Sequence, residues 1–207
     1  LNEWERRTGV PALEGYGMTE GAPTCNNPFS GERRVLSVGK PVYGIELEIV
    51  DVKTGTIEMN DGEHGEIRVR GSHIASGYFN NVEATSSAFR ENWLYTGDIA
   101  YRDRDGFIYI VDRAKDMAIV SGFNVFPREI DEILMAHPHI KEAASIAVPD
   151  AEKGEVIKAF VCLNDGYNLT EDQIKDHCRE DLVGYKIPKQ IIFREGLPKT
   201  PVGKIDK

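Results

Sequence analysis

The sequence is poor in cysteine, in positive charge and in long apolar runs, and each shortage excludes something. Cys25, Cys162 and Cys178 are the only cysteines in 207 residues; they are widely spaced and form no CxxC pair. Three thiols cannot all pair with one another, so free cysteines in a reducing compartment are expected. His137 and His139 stand close together as HPH. A zinc site needs three or four converging ligands, so a solvent-facing helix end is expected there instead. Acidic residues outnumber basic ones by 34 to 25, for a net charge of −9. A general affinity for nucleic acid needs a basic face, and that class is set aside; only a local basic patch in GYKIPK and LPKTPVGK remains. No apolar run reaches the roughly 20 residues of a transmembrane helix. The first residues, LNEWERRTGV, lack the shape of a signal peptide, so a cytoplasmic location is expected. The chain opens on Leu rather than Met, and a piece of a longer protein is anticipated.

What is present is an ordinary globular mixture, 41% hydrophobic and 29% charged, long enough for one large domain or two small ones. IELEIVD (45–51) and EIRVRG (66–71) alternate apolar and polar residues as half-buried strands do. Residues 81–89 read as one short helix. IAYRDRDGFIYIV reads as a hairpin turned by Asp105-Gly106. PREIDEILMAHP (127–138) is a helix with Pro127 in its first turn and Ile130, Ile133 and Leu134 on one face. ASIAVPD, VIKAFVCLN and KQIIFREG are strands. LTEDQIKDHCREDLVG is a helix opened by a Thr170–Gln173 capping box, and LPKTPVGKIDK is expected to be an exposed loop. The order β-β-α-β-β-α-β from Phe107 onward predicts a small α+β sandwich.

One stretch breaks the local rules. In FIYIVDRAKDMAIVSG (107–122), two β-prone runs flank Asp112, Arg113, Lys115 and Asp116, and no glycine or proline supplies the turn of a hairpin. The composition changes here, which places a domain boundary near residue 113. Charges suit a hydrated linker between strands of two different bodies.

Four stretches hold candidate chemistry. EGYGMTEGAP (14–23) has Gly15 and Gly17 but Glu20 where a dinucleotide fingerprint needs a third glycine. As a loop, Gly17 would let backbone approach a ligand. Thr19 offers a hydroxyl to phosphate, Glu20 a carboxylate to a hard cation, and Tyr16 a flat face to a base. The same residues also suit a tight loop with capping side chains. Asp98 in WLYTGD could accept bonds from both ribose hydroxyls, or close a turn. SGFNVFPREI reads as a glycine loop, with Gly122, running into a helix start. Gly203-Lys204 is not a phosphate loop, because Ile205 replaces Ser/Thr. It leaves a lysine on a mobile loop, either solvated or able to reach a phosphate.

Taken together and in order, YGMTE, GEIRVRG, WLYTGD, DRAKDMAIVSGFNVFPREIDEIL and PKTPVGK resemble the second half of adenylate-forming acyl-CoA synthetases. The resemblance runs from Gly15 to Lys204, and SGFNVFPREI, GYKIPK and LPKTPVGK look most like long-chain fatty-acid–CoA ligases. It implies an α+β chain in two parts. Residues 1–113 would be the strand-rich end of a larger adenylating domain, hinged to a small mobile C-terminal domain over 114–207.

The resemblance also implies an acid–thiol ligase that makes acyl-AMP from ATP and a carboxylic acid, here a fatty acid, and then the CoA thioester. Tyr16 would stack on adenine, beside Gly17; Thr19 would contact phosphate, and Glu20 would ligate Mg2+. Asp98 would hold the ribose with help from Arg113. Lys204 would steady the α-phosphate and the attacking carboxylate. Lys115 would be the hinge, and the Gly122 loop would line the path of CoA. The family's Ser/Thr/Gly-rich phosphate loop and most of its acyl pocket are not among these residues, so the fragment alone is expected to be inactive. Peripheral membrane contact is left open for the parent. The alternatives are an enzyme that loads a carrier protein or stops at acyl-AMP, and a nucleotide-binding module without chemistry.

Overall fold

The alternating residues of IELEIV and GEIRVRG bury Ile45, Ile49, Ile67 and Val69 on one side, and in the computed structural model they pair as neighbouring strands. The structure describes residues 2–201 and 203–207. Contacts along the chain divide it into two units, Leu1–Ala114 and Lys115–Lys207.

The first unit opens with α1 (Asn2–Thr8) and a small antiparallel sheet of β1 (Gly15–Met18), β2 (Gly21–Asn26) and β3 (Lys40–Pro41). A larger sheet follows, built from β4 (Ile45–Val50), β5 (Gly65–Gly71), β6 (Phe89–Arg90), β7 (Trp93–Arg102) and β8 (Ile108–Arg113). Its order is β4-β5-β7-β6, with β8 also paired to β7. The helix α2 (Val82–Ala88) is capped by Asn81, whose side chain accepts from the Ala84 N–H. Ile67, Val69, Leu94, Ala100 and Ile108 form the core of this unit, and Tyr16 and Met18 of the small sheet pack on it. Ile108 ties the two sheets together, donating to Gly39 O and accepting from the Val38 N–H, each at 2.9 Å.

After a single 3-10 turn (Ala114–Asp116), the second unit contains β9 (Ala118–Val120), β10 (Phe123–Val125), α3 (Pro127–Ala136), β11 (Ile140–Asp150), β12 (Gly154–Leu163), α4 (Glu171–Asp181) and β13 (Gln190–Phe193). The sheet order is β10-β9-β12-β11, and β13 lies parallel to β12. Val125, Ile130, Leu134, Ile157, Val161, Ile174 and Cys178 fill the space between helices and sheet. Each fully buried side chain of Leu size contributes about 2 kcal/mol. The α4 capping box is complete: the Gln173 N–H donates to Thr170 Oγ1 at 3.3 Å, and the Thr170 N–H to Gln173 Oε1 at 2.9 Å.

Several local expectations change. EGYGMTEGAP is not a loop; it is the β1–β2 hairpin, with Thr19-Glu20 as its two-residue turn. SGFNVF is likewise a hairpin. Ser121 and Gly122 both take positive φ, 50° and 86°, between β9 and β10, the backbone that a two-residue primed turn requires. The helix from Pro127 stops at Ala136, two residues early. The histidines after it are half-buried: the His137 ring lies 5.0 Å from His177, and His139 stacks on Tyr167 at 3.9 Å. The terminal segment is not a free loop, since Leu197 is buried and Ile205 packs beside it on Ala144 and Cys162. In the charged stretch, Asp112 is buried as part of β8, while β9 lies in the other sheet.

Candidate functional site

Strand register pairs two of the candidates, and the packing of the small sheet brings a third, Tyr16, against them. β7 and β8 pair antiparallel with Asp98 opposite Arg113, and Arg113 Nη1 reaches Asp98 Oδ1 at 2.9 Å. The other carboxylate oxygen, Oδ2, accepts a short hydrogen bond from the Tyr16 hydroxyl. Asp98 is buried at 8% exposure, whereas the Arg113 side chain keeps 52%. Each carboxylate oxygen has two lone pairs, so one remains on each for a further donor. Burial and the Asp98 charge push the Tyr16 hydroxyl far above the ordinary phenol range, so Tyr16 stays a donor.

Thr96 and Gly97 aim this carboxylate. The Thr96 hydroxyl donates to Ile67 O at 3.0 Å and accepts from the Asp98 N–H at 3.1 Å; the Gly97 N–H donates to Glu66 Oε1 at 2.9 Å. Gly97 has φ +70°, and a Cβ there would sit 3.4 Å from the Arg113 guanidinium. That is an ordinary contact, so glycine is called for here by the left-handed bend and not by crowding against Arg113.

The β1–β2 hairpin borders an open groove of about 750 Å³ lined by Tyr16, Gly17, Met18, Thr19 and Pro23, among others. Gly17 is needed for packing: a Cβ would meet that of Ala22 at 2.9 Å. Thr19 is exposed in the turn. Glu20 beside it accepts from the Tyr78 hydroxyl at 2.6 Å, a partner that no spacing in the sequence pointed to. Cys25 lies opposite Tyr16 across the hairpin, and burial pushes its thiol up to about 12.

The remaining candidates belong to the second unit. Lys115 is exposed in the 3-10 turn, and Gly122 is exposed at the β9–β10 turn. Phe123, next to it, stacks on Tyr185 with ring centroids 4.6 Å apart. Lys204 is exposed on a terminal hairpin, where its N–H donates to Thr200 Oγ1 at 3.2 Å and its carbonyl accepts from the Thr200 N–H at 2.7 Å. Among the described residues, no group of three His, Cys, Asp or Glu side chains could hold a metal ion, and no helix is long and apolar enough to cross a membrane.

The sequence matches two family models, the AMP-binding enzyme over residues 1–79 and the AMP-binding enzyme C-terminal domain over residues 129–204. It is 45% identical, over 98% of its length, to the long-chain-fatty-acid–CoA ligase of Escherichia coli O157:H7, of which it spans 36%. It is 37% identical to the oxalate–CoA ligase of Arabidopsis thaliana, of which it spans 40%. The crystal structure of ATP-bound MatB from Rhodopseudomonas palustris aligns with 99% of this chain and 41% of its own, with a TM-score of 0.90 and 36% identity. With this fold and these two matched regions, which follow one another along most of the chain, the chain belongs to the AMP-binding enzyme family, and it spans well under half the length of the relatives it matches.

Proposed function

We propose that this chain is the part of a fatty-acid–CoA ligase that holds the nucleotide and supplies the charge for adenylation. The observation that carries the reading is the buried Asp98 carboxylate, fixed by Tyr16 and Arg113 yet with a lone pair left on each oxygen. Such an acceptor suits the paired hydroxyls of a ribose, and the Tyr16 ring beside it offers a face to adenine. Arg113, half exposed, adds a positive charge at the same edge.

Glu20 suits Mg2+ in a limited way. It is a lone carboxylate, held through one oxygen by Tyr78, and Mg2+ commonly takes one or two carboxylates while phosphate oxygens and water complete its shell. The ion would neutralise phosphate charge. Thr19, exposed in the same turn, would donate to a phosphate oxygen.

Adenylation joins a carboxylate oxygen to the α-phosphorus and expels pyrophosphate. Two anions must meet, so neutralising charge matters more than removing a proton. Lys204, solvated on its hairpin, would supply that charge as a point cation. The thiol of CoA would then attack the acyl carbonyl and expel AMP. Separate cores and a contact boundary between Ala114 and Lys115 support a hinge at Lys115, by which one unit would present Lys204 in the first step and the Gly122 turn in the second.

Assaying the full-length protein with ATP, CoA and a panel of acids tests this. Palmitoyl-CoA should form faster than oxalyl-CoA, and Lys204→Ala should slow acyl-adenylate formation about a thousand-fold. Adenylation unchanged in Lys204→Ala removes the role given to Lys204, and a preference for oxalate removes the fatty-acid assignment.

A further inference from the structure

The mechanism above gives no task to Asp131, a carboxylate largely shielded from water. Asp131 sits on α3 with its side chain 15% exposed, and its Oδ2 accepts from Lys207 Nζ at 2.6 Å. Its other oxygen, Oδ1, is buried without a partner in hydrogen-bonding geometry, as is the hydroxyl of Ser145 on β11. Ser145 is close enough to favour the charged form, and so is Lys207, but burial prevails and pushes the Asp131 carboxyl up. Removing one partner of such a pair strands the other, so the Lys207 cation is what makes an ionised Asp131 tolerable.

Lys207 is also the end of the segment that carries Lys204. The Asp206 N–H donates to Pro198 O at 2.9 Å, Lys199 bridges Ile205, and the Gly203 N–H donates to Thr200 O at 2.8 Å. These bonds make a hairpin whose two arms are both fastened to the second unit. Lys199 Nζ pairs with Glu142 Oε1 at 2.5 Å, but the lysine is 47% exposed, and a pair that open contributes little. The Lys207–Asp131 pair, at 23% and 15%, is the better shielded. Between them Leu197 and Ile205 cover Ala144, Phe160 and Cys162.

We propose that the Asp131–Lys207 ion pair is the clasp that holds the Lys204 hairpin in place, and that Asp131 is thereby a positioning residue for adenylation. The inference rests on the role given to Lys204 above. A clasp at the base of the hairpin leaves the Lys204 ammonium in water while limiting where its backbone can go. It acts on the step that uses Lys204 and leaves untouched a step that does not.

Two variants of the full-length protein test it: Asp131→Asn, nearly isosteric, and Lys207→Met, at a position less buried than its partner. Hydrogen exchange should quicken about ten-fold at the amides of residues 200, 203, 204 and 206 in both, with β11 and β12 unchanged. Acyl-adenylate formation should fall about ten-fold, while thioester formation from supplied acyl-adenylate stays within about two-fold of wild type. The double variant should be no worse than the worse single one. Unchanged exchange in both variants overturns the clasp. Exchange that quickens without a loss of adenylation, or with equal loss in both half-reactions, overturns the positioning role. A wild-type protein that makes no acyl-adenylate defeats the functional reading instead, and the exchange experiment still decides the clasp.

Discussion

The Asp98 cluster and the Lys204 hairpin solve opposite problems. Asp98 is buried, and both of its oxygens already have donors from neighbouring strands. Lys204 is exposed, and its backbone is bonded to Thr200 through both its N–H and its carbonyl. A buried carboxylate must be satisfied before any ligand arrives, because leaving it bare costs several kcal/mol. A cation that is to meet phosphates can wait in water and be held only through its backbone. Preorganisation is thus applied to the acceptor side chain in the first unit and to the main chain in the second.

The largest effect that would break this contrast comes from Asp98→Ala. It deletes the proposed ribose acceptor and strands both the Tyr16 hydroxyl and the Arg113 guanidinium. Two hydrogen bonds to a charged group lost in the transition state predict about a hundred-fold fall in kcat/KM for ATP. A fall below about three-fold would show that Asp98 is structural. Next in size is a comparison of thiols. Cys25 lies within the Tyr16 hairpin, paired opposite Tyr16 and buried in the core of the first unit, and Cys162 lies beneath Leu197 and Ile205 at the base of the Lys204 hairpin. Burial raises both thiols, Cys25 to about 12, so each is labelled only when its cover opens. Alkylation followed by mass spectrometry should find Cys162 about ten-fold faster than Cys25. Equal rates would mean that the hairpin is as firmly set as the strand pair.

The strands and helices were legible because their residues repeat at the right periods: IELEIV and GEIRVRG by alternation, PREIDEIL by its apolar stripe, LTEDQ by its capping box. The hairpin at 15–26 was not, because its glycine-rich strands lack an apolar period and read as a loop; at 118–125 the first strand was legible, but Ser121-Gly122 read as a loop running into the helix and hid the second strand. Asp98 was named from its place after Thr96-Gly97, but its ties to Tyr16 and Arg113 depend on register between residues far apart in sequence. Tyr78 and Asp131 were invisible for a further reason. A lone tyrosine or a helical aspartate carries no spacing signal, and only the fold shows what lies against it.

The finest test of the contrast is Tyr16→Phe, which removes one oxygen from the cluster and keeps the ring. If the ring's role is to face adenine and the hydroxyl's is to hold Asp98, the variant should separate the two. One neutral donor lost from a buried carboxylate that keeps Arg113 predicts about 1 kcal/mol, or roughly five-fold in the KM for ATP, with kcat little changed. The pH profile supplies the control. Because the Tyr16 hydroxyl is raised far beyond an ordinary phenol, its ionisation is disfavoured in the fold, and the associated stability is present below about pH 10 and lost above it. The wild type should therefore show no alkaline fall in ATP affinity between about pH 8 and 10 that Tyr16→Phe abolishes. Such a fall, seen in the wild type and absent from the variant, would mean that Tyr16 ionises in the working range and is not the fixed donor that its place beside Asp98 requires.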